Sequence, residues 1–203
     1  LPANTGVMGL SVSGADNRVV LAATSYGMYR TTDAGGTWTA VGGGLMSGVQ
    51  GVAFSPADPA NAWTVGRSDS IRVFVSTDTG RTWTSPVPGY VTNKTAYLVP
   101  DPGDGATAWV SAMTGVFRST DLGANWHEAH AGLCIGRVPC ISASPEDPRR
   151  LYLEADDNGV FRSETGGDSW ARCSDFLECG NICAIGVASA TDRDVLYALE
   201  GSG

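Results

Sequence analysis

The chain has 203 residues, 42% hydrophobic and only 17% charged, with 27 glycines and six tryptophans. This is too apolar for a disordered segment and long enough to bury a sizeable core without help from metals or disulfides. A formal charge of -8, with Lys94 the sole lysine, disfavours nucleic acid and anionic membrane as partners, because both need a basic face to displace counterions.

In chain order one outline keeps returning: TTDAGGTW at 31–38, STDTGRTW at 76–83, STDLGANW at 119–126 and SETGGDSW at 163–170. The third positions, Asp33, Asp78, Asp121 and Thr165, fall 45, 43 and 44 residues apart. A fixed period of this size means one supersecondary unit repeated. Before each octet comes an aromatic-centred run (GMYRT, RVFVS, GVFRS, GVFRS). Before that lies an alternating run such as AWTVG, AWVSA or LYLEA. Earlier still come stretches ending in turns: GVAFSPADPANA, AYLVPDPGDGATA, CISASPEDPRR and IGVASATDRD. Four short period-2 runs separated by Gly, Pro, Asp or Asn predict a four-stranded antiparallel meander per unit, and no segment carries a sustained helical stripe. One such sheet cannot bury both faces alone, so successive sheets stack, and stacking around an axis gives an all-β propeller. The expected blades are 6–41, 49–86, 94–129 and 138–172, with a partial fifth at 181–203, in one domain spanning 1–203. A unit that stops after two strands predicts a piece of a longer propeller or a half-ring closed by a second copy, with an exposed edge at 195–199.

The pattern Ser/Thr-x-Asp-x-Gly-x-x-Trp resembles the Asp-box, or BNR repeat, of sialidases, sortilin-type receptors, xyloglucan-degrading enzymes and photosystem II assembly-factor-like proteins. Similarity is greatest to the last group and covers nearly the whole chain. The octets then read as structural staples: Asp33, Asp78 and Asp121 accept backbone N–H bonds, and the fifth-position glycine takes φ > 0. Trp38, Trp83, Trp126 and Trp170 open the outer strand and fill gaps between sheets. Thr165 in the degraded copy predicts a looser turn unless Asp168 substitutes. Arg30, Arg118 and Arg162 recur at one repeat position, with Val75 in the second unit, and read as a repeated strand residue rather than a converging arginine triad.

A meander alternates its turns between two faces, so the octets share one face with the SPADP and SPEDP turns. The opposite face carries the second-to-third turns and the inter-blade links, and the resemblance implies that this face holds the ligand. Its non-repeating residues are the expected ligand-binding set: Tyr26, Arg67, Asp69, Tyr90, His127, Asp156 and Asp157, with Met46, Met113, His130, Arg137 and Glu154 nearby. Tyrosines and carboxylates around a shallow opening suit sugar hydroxyls or a peptide.

Catalysis would need two carboxylates roughly 5–9.5 Å apart, for which Asp69 and Asp156 or Asp157 are the available pair. HEAH at 127–130 lacks one residue of a His-Glu-x-x-His metal site and follows a strand rather than lying on a helix, so no metal or cofactor is expected. Cys134, Cys140, Cys173, Cys179 and Cys183 crowd the links around the fourth unit and predict disulfides in an oxidising compartment, secreted or periplasmic. The sequence therefore leads to a non-catalytic recognition propeller for a glycan or protein. The alternatives are the propeller portion of a glycoside hydrolase, or a structural propeller that closes by oligomerisation.

Overall fold

Alternating apolar and polar residues, punctuated by Gly, Pro and Asp, fold into strands throughout, with no helix among the described residues. The structure is a computed structural model that describes residues 1, 5–43, 48–67, 71–86, 97–133, 137–155, 159–173, 182–190 and 193–200. The first blade comprises β1 (Val7–Val12), β2 (Val20–Thr24), β3 (Gly27–Thr31) and β4 (Thr39–Val41). In the second, β5 (Gly51–Phe54), β6 (Ala62–Arg67) and β7 (Ile71–Ser76) pair in order, and the fourth strand shrinks to a bridge between Val75 and Thr84. The third holds β8 (Tyr97–Pro100), β9 (Ala108–Ala112), β10 (Gly115–Ser119) and β11 (His127–Glu128). The fourth holds β12 (Cys140–Ala143), β13 (Leu151–Ala155), β14 (Gly159–Ser163) and β15 (Ala171–Arg172). The four sheets are antiparallel meanders, as the period-2 runs predict.

Register explains the stacking. Leu21, Trp63, Trp109 and Tyr152 occupy one repeat position, opposite Arg30, Val75, Arg118 and Arg162 respectively. A continuous cluster between the first two blades joins Leu21, Ala23 and Met28 to Phe54, Ala62 and Trp83. Trp63 and Val75 meet Ala108, Val110 and Trp126 at the next seam, and Trp109 meets Leu151, Leu153 and Trp170 at the third. The octet tryptophan of each later blade thus fills the gap to the blade before it. The innermost strands run side by side, β1 on β5, β5 on β8 and β8 on β12.

The fifth unit departs from the repeat. Its strands β16 (Ile182–Ala190) and β17 (Arg193–Glu200) form a long hairpin with Ser189 opposite Asp194, not the wide Pro-type turn of the other units. β16 packs on β12, and Asp194, its side chain 2% exposed, accepts hydrogen bonds from Ser144 Oγ (2.8 Å), Tyr152 Oη (3.0 Å) and an Arg150 guanidinium nitrogen (3.2 Å). Burial, with the Asp194 carboxylate beside it, pushes the Tyr152 hydroxyl up to about 12. Among the described residues no packed interface joins β16 or β17 back to β1. The blades form an arc whose two ends are uncovered: Leu10 is 62% exposed on β1, and Tyr197 and Leu199 are 63% and 65% exposed on β17.

Cys173 is a free thiol that donates weakly to Val160 O at 3.4 Å, so the expected disulfide does not form at this position. Cys140 is buried against Val160 and Ile185. Cys134 and Cys179, and the side chain of Cys183, lie outside the described residues.

Candidate functional site

The octets are built as turns. In the first, Thr31 Oγ1 donates to Asp33 Oδ1 at 2.6 Å and accepts from Gly35 N at 3.0 Å, while Asp33 accepts from Thr37 N (2.8 Å) and Thr37 Oγ1 (2.6 Å). Asp78 and Asp121 repeat this with Ser76, Thr82, Ser119 and Asn125. The main backbone donor lies four positions on, two beyond that of a simple Asx turn. Bonds led by the Thr31 hydroxyl hold the Asp33 carboxyl at about 2. Burial works to raise Asp78, but the Thr82, Ser76 and Arg81 bonds outweigh it and bring it to about 2 as well. In the degraded copy it is Thr165 that substitutes: its hydroxyl accepts from Ser169 N at 2.9 Å, and Asp168 turns away to lie 3.6 Å from Arg118. Of the recurrent arginines, Arg30 and Arg118 are inter-blade ties, whereas Arg162 lies 3.3 Å from Glu164 in its own octet. Arg30 Nε donates to Thr79 O at 2.9 Å in the next octet, and Arg118 lies over Trp109, 5.8 Å from the ring centroid, beside Gly166.

The opposite face is different. A cavity of about 490 Å³ opens where the innermost strands begin, between three blades. It is lined by Met8 and Gly9 of β1, residues 48–53, Trp63 and Val65 of β6, and Tyr97 and Leu98 of β8. Gly51 pairs with Val65 and Tyr97 with Ser111, at the end of each blade that carries the second-to-third turn. This is the inter-blade-loop face. The cavity exists because that first inner position is glycine in two blades but Tyr97 and Cys140 in the next two. Gly9 lets β1 approach within van der Waals reach of the Gly51 backbone, and a side chain on Gly51 would meet nothing within 4 Å. No described lining residue is charged. Two polar atoms of the lining residues, Trp63 Nε1 and Gln50 Oε1, are buried without a hydrogen-bond partner.

Of the expected ligand residues whose side chains are described, Tyr26 and His127, neither lines this cavity. Tyr26 is 63% exposed on the β2–β3 turn. His127 stands in β11 opposite Arg118, so it belongs to an outer strand rather than a link. His130 is structural: its Nδ1 lies 3.2 Å from Val116 O and its ring meets Phe117 edge-on at 6.3 Å. Glu154 is buried in β13. Arg67 ends β6 opposite Ile71, with its side chain outside the described set, and Asp69, Tyr90, Asp156 and Asp157 lie outside the described residues altogether. Among the described residues no three His, Cys, Asp or Glu side chains gather as metal ligands. Reasoning from loops passed over Trp63, Gln50 and Tyr97, which read as core or link. The available signal was the glycine at the first inner position of GVAF where YLVP and CISA carry side chains.

No family model and no curated protein matches the chain. Solved structures do. An ancestral GH74 enzyme superposes with TM-score 0.75 at 20% identity over 95% of this chain and 27% of its own. The Niastella koreensis GH74 enzyme gives 0.72 at 23% identity, over 95% and 28%. YCF48 from Cyanidioschyzon merolae gives 0.64 at 19% identity, over 92% and 61%. The chain therefore spans less than two thirds of each of these structures, and at such identities the likeness carries the architecture alone: the molecule is a partial β-propeller.

Proposed function

We propose that the chain is a non-catalytic recognition propeller of the Asp-box type, secreted or periplasmic, that binds a glycan or protein partner through its inter-blade-loop face. The observation that carries this reading is the uncharged, mainly apolar cavity on that face, whose volume falls in the range of ligand pockets. The octets on the other face spend their polar groups on their own turns. A structure of YCF48 bound to D1 peptide, matched at TM-score 0.54 and 13% identity over 99% of this chain, provides a precedent on the same architecture. The uncovered ends of the arc favour further propeller surface there, from a second copy or the remainder of a longer chain. A glycoside hydrolase portion, by analogy with the GH74 structures, would draw its carboxylates from Asp69 and Asp156 or Asp157, while the described part of the cavity lining is mainly apolar and suits recognition.

The test is a glycan array and a short-peptide display library, both probed with the purified chain, beside a xyloglucan hydrolysis assay. Saturable binding of one class without hydrolysis is expected. Binding of neither class, or turnover of xyloglucan, overturns the proposal.

A further inference from the structure

Five of the six tryptophan indoles donate a hydrogen bond: Trp38, Trp83 and Trp126 to carbonyls of their own octets, Trp109 to Gly166 O at 2.8 Å and Trp170 to Ala129 O at 2.9 Å. Trp63 is the exception. It is fully buried, its Nε1 has no acceptor, and it lines the inter-blade-loop cavity. Trp63 and Trp109 hold the same repeat position, yet their rings are turned oppositely against the next octet. A Cβ on Gly167 would meet Trp109 Nε1 at 3.1 Å, whereas one on Gly123 would meet Trp63 Cζ3 at 3.5 Å. The N–H edge of Trp63 is thereby turned away from the octet carbonyls. Trp63 also lacks the arginine that covers Trp109, because Val75 stands at that position and keeps the surroundings uncharged.

We propose that this cavity takes an uncharged apolar side chain from an extended segment of a protein partner. Neither Trp63 Nε1 nor Gln50 Oε1 is exposed in the free chain, so the partner displaces the side chains that cover them, and the peptide group flanking its apolar residue then accepts from Trp63 Nε1 and donates to Gln50 Oε1. The inference rests on the reading of this face as the recognition face and selects between its two partner classes. One buried donor and one buried acceptor match the single C=O and N–H of a peptide group. A sugar ring would bring several hydroxyls, and the lining offers too few polar side chains to replace the water each would lose. The described lining residues, all uncharged, likewise disfavour a carboxylate, phosphate or ammonium group beside them. Gly51 leaves the floor open, and at the rim Met8 and Tyr97, 59% and 43% exposed, provide an adaptable thioether and an aromatic anchor.

The experiment is panning of a random short-peptide library on the chain in competition with its Gly51→Leu variant. That substitution meets no neighbour on the backbone side and fills the cavity. Winning peptides are resynthesised with blocked ends and measured by calorimetry, and the glycan array is run on both proteins. Winners should share one apolar residue, bind Gly51→Leu more than tenfold more weakly, bind Trp63→Phe about tenfold more weakly, and shift the Trp63 indole N–H resonance. If Trp63→Phe does not fold, the resonance carries the donor claim. Peptides that bind Gly51→Leu as tightly as the parent chain overturn this inference, as does a glycan rather than a peptide being the ligand lost in Gly51→Leu. The second of those results leaves recognition at this face standing, and the first leaves standing only that the chain binds peptides. Binding of neither class overturns the broader reading as well.

Discussion

Three of the four octet turns are built around a carboxylate and one around a hydroxyl, and the four chain paths are nonetheless alike. Asp33, Asp78 and Asp121 each accept from a backbone N–H and, at 2.6–2.7 Å, a side-chain donor four positions on, whereas Thr165 accepts from Ser169 N at 2.9 Å and pairs with the Ser169 hydroxyl at a longer 3.1 Å. The hydroxyl copy is relieved elsewhere. The fourth position of the octet is left-handed in every copy, and it is a side-chain residue in the first three, Ala34 (φ 58°), Thr79 (φ 62°) and Leu122 (φ 56°), but Gly166 (φ 70°) in the last. Trp170 is also the most buried of the octet tryptophans and reaches across to Ala129 O. Longer, uncharged turn bonds thus coincide with less backbone strain and a firmer inter-blade anchor, so a repeat can lose its most visible residue and keep its shape.

The comparison breaks most sharply at the fifth position, where every copy needs glycine but for unequal reasons. Gly80 has φ +78° and a Cβ there would lie 2.6 Å from Leu21 Cδ2 in the neighbouring blade, while Gly123 has φ +79° with no neighbour nearer than 3.5 Å. Gly80→Ala is expected to destabilise by about 3 kcal/mol or more, from strain plus overpacking, and Gly123→Ala by about 1–2 kcal/mol, from strain alone. Urea midpoints of the two variants check this. Equal losses would mean that the seam at Leu21 yields freely.

The carboxylates themselves come next. Asp78→Ala should cost about 2–3 kcal/mol near neutral pH through its lost hydrogen bonds, and Thr165→Ala about 1 kcal/mol. The folded Asp78 carboxyl sits at about 2, below its ordinary 3.8. A depressed folded value contributes stability that is complete above about pH 4 and is lost as the pH falls towards 2. The gap between Asp78→Ala and the parent chain should therefore narrow through that window, while the Thr165→Ala gap stays constant. Unfolding curves taken between pH 7 and pH 2 decide it, and a gap for Asp78→Ala that is independent of pH would show that the carboxylate is not what holds the turn.

Much of this was legible in the sequence because it repeats. The spacing of Asp33, Asp78, Asp121 and Thr165 gives the blades, and the alternation in AWVSA or LYLEA gives the strands and the seam residues Trp109 and Tyr152. Features that depend on two units at once were not legible. Arg30 reads as an ordinary strand residue until its neighbour brings Thr79 O to 2.9 Å. The cavity is written as missing side chains at Gly9 and Gly51 and an inverted ring at Trp63, none of which changes the local pattern. The fifth unit matches the repeat in composition, but its hairpin is set by Asp194 docking on Ser144, Tyr152 and Arg150, a tertiary choice that residues 182–200 do not signal.

The smallest expected effect tests whether the strain at the fourth position is real. Ala34 holds φ 58° and carries little side chain to lose, so Ala34→Gly isolates the backbone contribution. Relief of a left-handed alanine stabilises by about 1 kcal/mol, and the added freedom of glycine in the unfolded chain offsets roughly half of that. The net gain of about 0.5 kcal/mol corresponds to about 1–2 °C in Tm for a chain of this size. Gly166→Ala should move Tm by a similar amount in the opposite direction, since only the Arg118 guanidinium, 3.5 Å from the added Cβ, stands near it. A calorimetric scan in which both variants shift the same way would place the difference between the turns in their hydrogen bonds alone, and would leave the glycine in the hydroxyl copy without a compensating role.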